Sequence, residues 1–398
     1  VTEPTRTVFT DAMVVTADAV FAPGWVALAG DRIVGVGERQ VPAEFADGAT
    51  NIELAGRWLL PGFIDLHVHG AAGATFDAGA ADIAAGLAAH RRHGTTRSLV
   101  SLVTASIPEL VSRVSAAAAY AAGDPHVLGL HLEGPFLSEL RRGVHDPALL
   151  RAPEPAALEQ LLVAGDGQVR VLTLAPELDG GLTAVRFCVS SGVHAAVGHS
   201  DADYPTALAA FEAGADLVTH AFNGMRPLHH RDPAIIGAAM DAGVVLEAIN
   251  DGVHLHPATV RLLRSIAPGR VALVTDAMAA AGAADGDYSL AGFDVRVSDG
   301  GARLVTDDPA VPGSIAGSTL TMDVAVRRAV QDVGLPVVEA VAAASLVPAR
   351  LLGVERDHGS IAQGRIADLV VADPDWSVEA VMVGGKWADE RRPEPPAR

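Results

Sequence analysis

The chain has one cysteine, Cys188, and one lysine, Lys386, in 398 residues. A single thiol excludes an intrachain disulfide and any zinc site built on cysteines. Long apolar runs are also missing. Charges, Gly or Pro interrupt every run well before the roughly 18 residues of a spanning helix, so no membrane segment is expected. Positive charge is scarce. The net charge of -19 argues against nonspecific nucleic-acid binding and against anionic membranes, and a phosphorylated ligand would need a local basic pocket. Val1 to Asp11 lack the basic start and apolar stretch of a secretory signal, which makes the cytoplasm the expected compartment.

What is present is apolar and periodic. At 49% hydrophobic residues, the chain can build a large core, and its length suits a barrel of roughly 250 residues plus a smaller unit. Short β-type runs at Val8 to Thr16, Trp25 to Ala29, Arg32 to Gly37 and Asn51 to Leu54 are separated by Gly, Pro and Asp turns. The chain end, from Ile361 to Val371 and at Val381 to Val383, has the same character. The two ends are therefore expected to pair into one small β domain, residues 1–58 plus 354–398.

Between them, apolar β segments alternate with amphipathic Ala/Leu helices, the pattern of βα units around a parallel sheet. Eight strands are expected: Phe63 to Val68, Thr96 to Val103, Val127 to Glu133, Val169 to Leu174, Val193 to Val197, Leu217 to His220, Val244 to Ile249 and Val271 to Thr275. The fold class is thus α/β, a (β/α)8 barrel over residues 59–353. Ala283 to Ile315 interrupts the scheme, and Asp299-Gly300-Gly301 after Val295-x-Val297 predicts an inserted hairpin. Helices at Thr321 to Val333 and Val337 to Leu352 are expected to close the barrel.

Polar residues fall where such barrels keep their chemistry, at the C-terminal ends of strands. His67 and His69 end the first strand, Glu133 the third, His199 the fifth, His220 the sixth and Asp276 the eighth. In an extended segment His67 and His69 point the same way, and paired neutral imidazoles suit a divalent metal. Glu133, on the same strand face as His131, can bridge two cations. Many binuclear hydrolase barrels bridge with a carbamylated lysine, but the expected barrel contains no lysine, so any bridge here is a carboxylate.

Taken together, PGFIDLHVHG (residues 61–70), HLEGPF (131–136), GHS (198–200), THAFNGM (219–225), DGVHLHP (251–257), VTDAM (274–278), AGSTLTM (316–322) and GSIAQGRIADLVV (359–371) resemble the N-acetylglucosamine-6-phosphate deacetylases of the amidohydrolase superfamily. The resemblance runs in order through nearly the whole chain. It implies a hydrolase that releases acetate from N-acetylglucosamine 6-phosphate. It makes Glu133, His199 and His220 ligands of one metal, and His67, His69, Glu133 and Asp276 candidates for a second. Nitrogen and oxygen donors without thiolate suit Zn(II) best, with Fe(II), Mn(II) or Co(II) also fitting.

The same resemblance gives Asp276 the role of general base and acid, taking the proton of the attacking water and passing it to the departing amine. It puts His145 beside the substrate carbonyl as oxyanion donor. Gly134, Asn223 and Gly224 are candidate substrate contacts, and Gly224 stands where the family commonly has Ala. For the phosphate, Arg231 and His254 are preferred over Arg226 and the His229-His230 pair, which reads as a solvated loop. In relatives the arginine reaches a neighbouring subunit, so a homodimer is implied. Two other readings stay open: deacetylation of another N-acetyl amino-sugar phosphate, such as the galactosamine epimer, and a non-catalytic sugar-phosphate-binding barrel.

Overall fold

A computed structural model describes residues 5–306 and 313–393. By packing, the chain divides into two compact units, residues 1–65 with 90–97 and 322–398, and residues 66–89 with 98–321.

The first unit carries a mixed eight-stranded sheet contributed by both chain ends. Arg6–Val15, Val20–Ala29 and Arg32–Glu38 form an antiparallel meander, and Trp58–Pro61 pairs antiparallel with Leu369–Ala372. The expected pairing of the ends is therefore present. Alternating residues such as Phe9, Val14, Val26, Leu59, Leu369 and Met382 bury one face as a common core.

The second eight-stranded sheet is parallel, and each strand lies beside its neighbour in sequence. Its strands are Phe63–Asp65, Thr95–Val103, Val127–Glu133, Val169–Leu174, His194–Val197, Leu217–Val218, Val245–Ile249 and Val271–Val274. Residues 95–103 are all buried, as expected for a parallel strand covered on both faces. Helices between strands bury one stripe each. In Ile107–Gly123 the stripe is Ile107, Leu110, Val114, Ala117, Ala118 and Ala121, at helical spacing.

The first strand is shorter than the sequence suggests, because regular pairing stops at Asp65. Its extension still closes the barrel. Val68 bridges Ala277 in parallel, His69 N–H donates to the Ala277 carbonyl at 2.8 Å, and Ser101 N–H donates to the Val68 carbonyl at 3.1 Å.

One expectation is extended and another corrected. The inserted hairpin is present, Phe293–Ser298 with Gly301–Leu304, turned at Asp299 and Gly300, both at positive φ, and Gly286–Leu290 adds a third antiparallel strand to it. Leu290, Val295 and Val297 from it pack with Val103 and Met278. The single helix expected from Val337 to Leu352 is two, Val337–Ala343 and Leu346–Leu351. Pro348 explains the break, since a continuous helix needs an N–H at 348 to reach the carbonyl of 344, and proline has none.

Candidate metal centre and active-site cavity

Each candidate ligand is held where a strand ends and the backbone turns. His67 and His69 flank Val68, the residue that bridges Ala277, so closure of the barrel fixes both rings on one side. His199, His220 and Asp276 follow their strands at φ of 45°, 27° and 49°. Such left-handed conformations are uncommon and costly for residues with a Cβ, and they cluster at sites whose surroundings enforce them.

Those turns aim the side chains at one point. Glu133 Oε1 lies 3.0 Å from His199 Nε2 and 3.1 Å from His220 Nε2, and the two imidazole nitrogens are 3.0 Å apart. On the other side, His67 Nε2 and His69 Nε2 are 3.0 Å apart. Glu133 Oε2 is 3.2 Å from His69 Nε2, and Asp276 Oδ1 is 3.4 and 3.3 Å from the two rings. Ligands bonded at about 2.0–2.1 Å to one cation lie about 3 Å apart, so these spacings fit shared divalent ions. His145 is also within reach of Glu133 and His199, with Nε2 3.7 Å from Glu133 Oε2.

The electrostatics favour a cation as well. Burial opposes charge on His67 and His69, but Glu133, Asp276 and Glu247 overcome it and hold His67 well above the usual histidine range, while Asp276 and Glu133 bring His69 to about 9. Burial also opposes charge on Glu133 and Asp276, yet His67, His199 and His220 hold Glu133 well below the usual carboxylate range, and His67 and His69 hold Asp276 at about 2. The cluster thus draws in positive charge, as protons or as metal. His145 behaves oppositely: burial, reinforced by His199, pushes it down to about 3, leaving a neutral ring.

Beneath the cluster lies a polar layer. His131 bonds Ser101 Oγ at 3.0 Å and Thr173 Oγ1 at 2.8 Å, and burial together with the charge on His67 keeps it neutral. Its ring packs edge-on against that of His67, with centroids 4.5 Å apart, and so backs that ligand from below.

The ligands open into a cavity of about 320 Å3, lined also by Val103, Val144, His145, Asn223, Gly224 and His254. His145 is buried, and neither ring nitrogen has a partner, so a donor stands available at the wall. His254 is held through Nδ1 by Asp251 Oδ2 at 2.7 Å. Asn223 Nδ2 donates to the carbonyls of His220 and Ala221. Two expected contacts lie off this wall. Gly134, at φ 90°, packs so tightly on Thr104 that a Cβ would sit 2.3 Å from its Oγ1. Arg231 is exposed and rests on His230 at 2.9 Å, and no arginine or lysine lines the cavity among the described residues.

Sequence reasoning missed two contributions. Leu290, Ser314, Ile315 and Gly317 reach the wall from the inserted sheet and its return. Glu247, buried under His67, was signalled only as a lone charge in the apolar strand VLEAI.

Comparison with known proteins adds a family. The sequence profile described as "Amidohydrolase family" matches residues 58–388. The chain is 40% identical to the N-acetylgalactosamine-6-phosphate deacetylase of Escherichia coli O157:H7, over 83% of this chain and 87% of that protein. It is 39% identical to the N-acetylglucosamine-6-phosphate deacetylase of Homo sapiens, over 88% and 86%. Among solved structures it is similar to the D267A mutant of N-acetyl-D-glucosamine-6-phosphate deacetylase from Mycobacterium smegmatis, in complex with N-acetyl-D-glucosamine-6-phosphate. That similarity has a TM-score of 0.90, with 42% identity and coverage of 96% of this chain and 99% of the other.

Proposed function

Since the chain belongs to the amidohydrolase family, we propose that it removes the acetyl group from N-acetylglucosamine 6-phosphate, giving glucosamine 6-phosphate and acetate. The observation that carries this reading is the convergence of four imidazoles on Glu133 and Asp276, with ligand atoms 3.0–3.5 Å apart at the wall of a substrate-sized cavity. Glu133, His199 and His220 would hold one metal, and His67, His69, Glu133 and Asp276 would hold a second. His220 is preferred to His145 as third ligand because its nitrogen is closer to Glu133, 3.1 against 3.7 Å. Zn(II) suits the donor set best.

When bound, a divalent cation supplies a Lewis acid for the acetyl carbonyl and lowers the pKa of water from about 15.7 toward about 7. The side chains do the rest. Asp276, ionised at neutral pH, accepts the proton of the attacking water and delivers it to the amine as the C–N bond breaks. His145, neutral and unpartnered, donates an N–H to the acetyl oxygen as negative charge builds there. Asn223, Gly224 and His254 on the wall position the sugar. Arg231, exposed outside this cavity, serves the phosphate of a second copy in a homodimer. The enzyme works in the cytoplasm, in keeping with a lone cysteine and with no helix among the described residues long and apolar enough to cross a membrane.

The test is acetate release from N-acetylglucosamine 6-phosphate by metal-replete protein, with the unphosphorylated sugar alongside. Turnover of the phosphorylated sugar alone is expected; metal binding without turnover of either would overturn the reading. A second reading, the galactosamine epimer, is favoured by the 40% identity to the Escherichia coli enzyme, and the two kcat/KM values for the epimers decide it.

A further inference from the structure

Glu247 is the one charged residue of the seventh barrel strand, Val245–Ile249, and it is 1% exposed. An unpaired carboxylate at that depth would cost several kcal/mol, so its partners matter. Its Oε2 lies 3.1 Å from His67 Nδ1 and accepts the backbone N–H of His220 at 3.1 Å. The Glu247 backbone carbonyl accepts the N–H of Ala221 at 2.9 Å. One carboxylate thus ties together the residues that carry candidate ligands from the first and sixth strands.

The contact with His67 decides what that ring can do. A neutral imidazole carries its proton on one nitrogen only. With Nδ1–H donated to Glu247, Nε2 is left with a lone pair, and Nε2 is the atom 3.0 Å from His69 Nε2 and 3.4 Å from Asp276 Oδ1. Neither His69 nor His220 has such support: their Nδ1 atoms are buried without a partner. Carboxylate, histidine and cation in line is the arrangement that fixes tautomer and ring angle in metal sites and raises ligand basicity.

We propose that Glu247 is the positioning residue of the second metal position, acting through His67 to make the His67-His69-Asp276 side of the centre bind its cation. This rests on the reading of the cluster as a metal centre. Glu247 acts at one remove from the cation, and its links to the His199-His220 side run through backbone groups, the N–H of His220 and that of Ala221.

The experiment is titration of the metal-free full chain with Zn(II) in the presence of a competing chelator, and with Co(II) to read its visible absorption. Wild type is expected to take up two ions. E247A is expected to lose about 10- to 100-fold in affinity at one position and less than about threefold at the other. E247Q keeps an acceptor oxygen and should fall between them, and it carries the test should E247A fail to fold. In an H67A background, E247A should add no further loss, because its route to the cation is already gone. Wild-type affinities at both positions in both Glu247 variants would overturn the proposal. So would a full further loss on top of H67A, or an equal weakening of both positions. Wild type binding no metal at all would overturn the metal-centre reading beneath it, and the wild-type arm alone reports that.

Discussion

Two buried charged clusters among the described residues are built on opposite principles. In the unit that holds the chain ends, Asp368 is gripped by the guanidinium of Arg97 through two hydrogen bonds of 2.8 and 3.1 Å, by His358 Nδ1 at 3.0 Å and by the N–H of Gly384 at 2.9 Å. A permanent cation meets a carboxylate with every lone-pair direction in use. At the barrel mouth, Glu133 and Asp276 face imidazole nitrogens, with no arginine or lysine in the cavity wall among the described residues. Burial of charge is common to both. The mark of function is the missing fixed countercharge, which leaves a place for one that exchanges.

The largest expected effect comes from the barrel mouth. Asp276→Asn keeps an oxygen where a metal would bind but removes the proton acceptor, and should lower kcat for acetate release by about 10²- to 10⁴-fold while at least one metal ion per chain remains. Parallel kinetics and elemental analysis check it. A variant that keeps its turnover would remove Asp276 from proton transfer and blur the contrast between the clusters.

The Arg97 cluster should respond the other way, in stability and not in metal content. Arg97→Ala leaves Asp368 buried without its cation, a change that typically costs about 3–5 kcal/mol, readable from urea unfolding midpoints. The pH dependence sharpens this. Burial works against the charge on Asp368, but the His358 hydrogen bond and Arg97 prevail and hold its carboxyl below the usual range. Its stabilisation is therefore fully present above the unfolded value of about 3.9 and is lost as pH falls through the lower folded value. The stability gap between wild type and Asp368→Asn should be flat from about pH 8 to 5 and close below about pH 4.

Metal itself should separate the two clusters at smaller amplitude. Zn(II) at 100 times its dissociation constant should stabilise wild type by about 2.7 kcal/mol. Asp368→Asn should show the same gain, and Glu133→Gln, which removes the shared ligand, much less. Thermal melts with and without chelator make the comparison, and a gain abolished in Asp368→Asn would show the clusters to be coupled.

Much of this was legible in the sequence, for reasons particular to each element. Buried parallel strands read as apolar runs, so Val127–Glu133 and Val169–Leu174 come out with their full bounds. The ligands were readable because histidine and carboxylate at strand ends are conspicuous against apolar surroundings. Glu247 sits inside a strand and gains meaning only when His67, 180 positions away, is brought against it. The left-handed turns at His199, His220 and Asp276 leave no mark either, since no glycine occupies those positions to announce them. The cavity wall from Leu290 and Ile315 depends on how an inserted sheet folds back, which local pattern does not encode.

The smallest predicted effect tests how tightly the mouth is built. Gly224 has φ 54°, and an added Cβ would lie 2.9 Å from His199 Nδ1, the atom that donates to the Arg141 carbonyl at 2.8 Å. Gly143 is packed nearly as closely, where a Cβ would be 3.0 Å from His199 Cε1. The ring therefore has little room to retreat. Gly224→Ala should cost about 1 kcal/mol for a side chain at positive φ, and should weaken Zn(II) binding on the His199 side a few-fold as the ring tilts. The His67 side should be untouched. If instead Gly224→Ala binds metal as wild type does, His199 has more freedom than its packing suggests. The glycine would then be only a backbone convenience, and the rigidity ascribed to the mouth would belong to its strand ends alone.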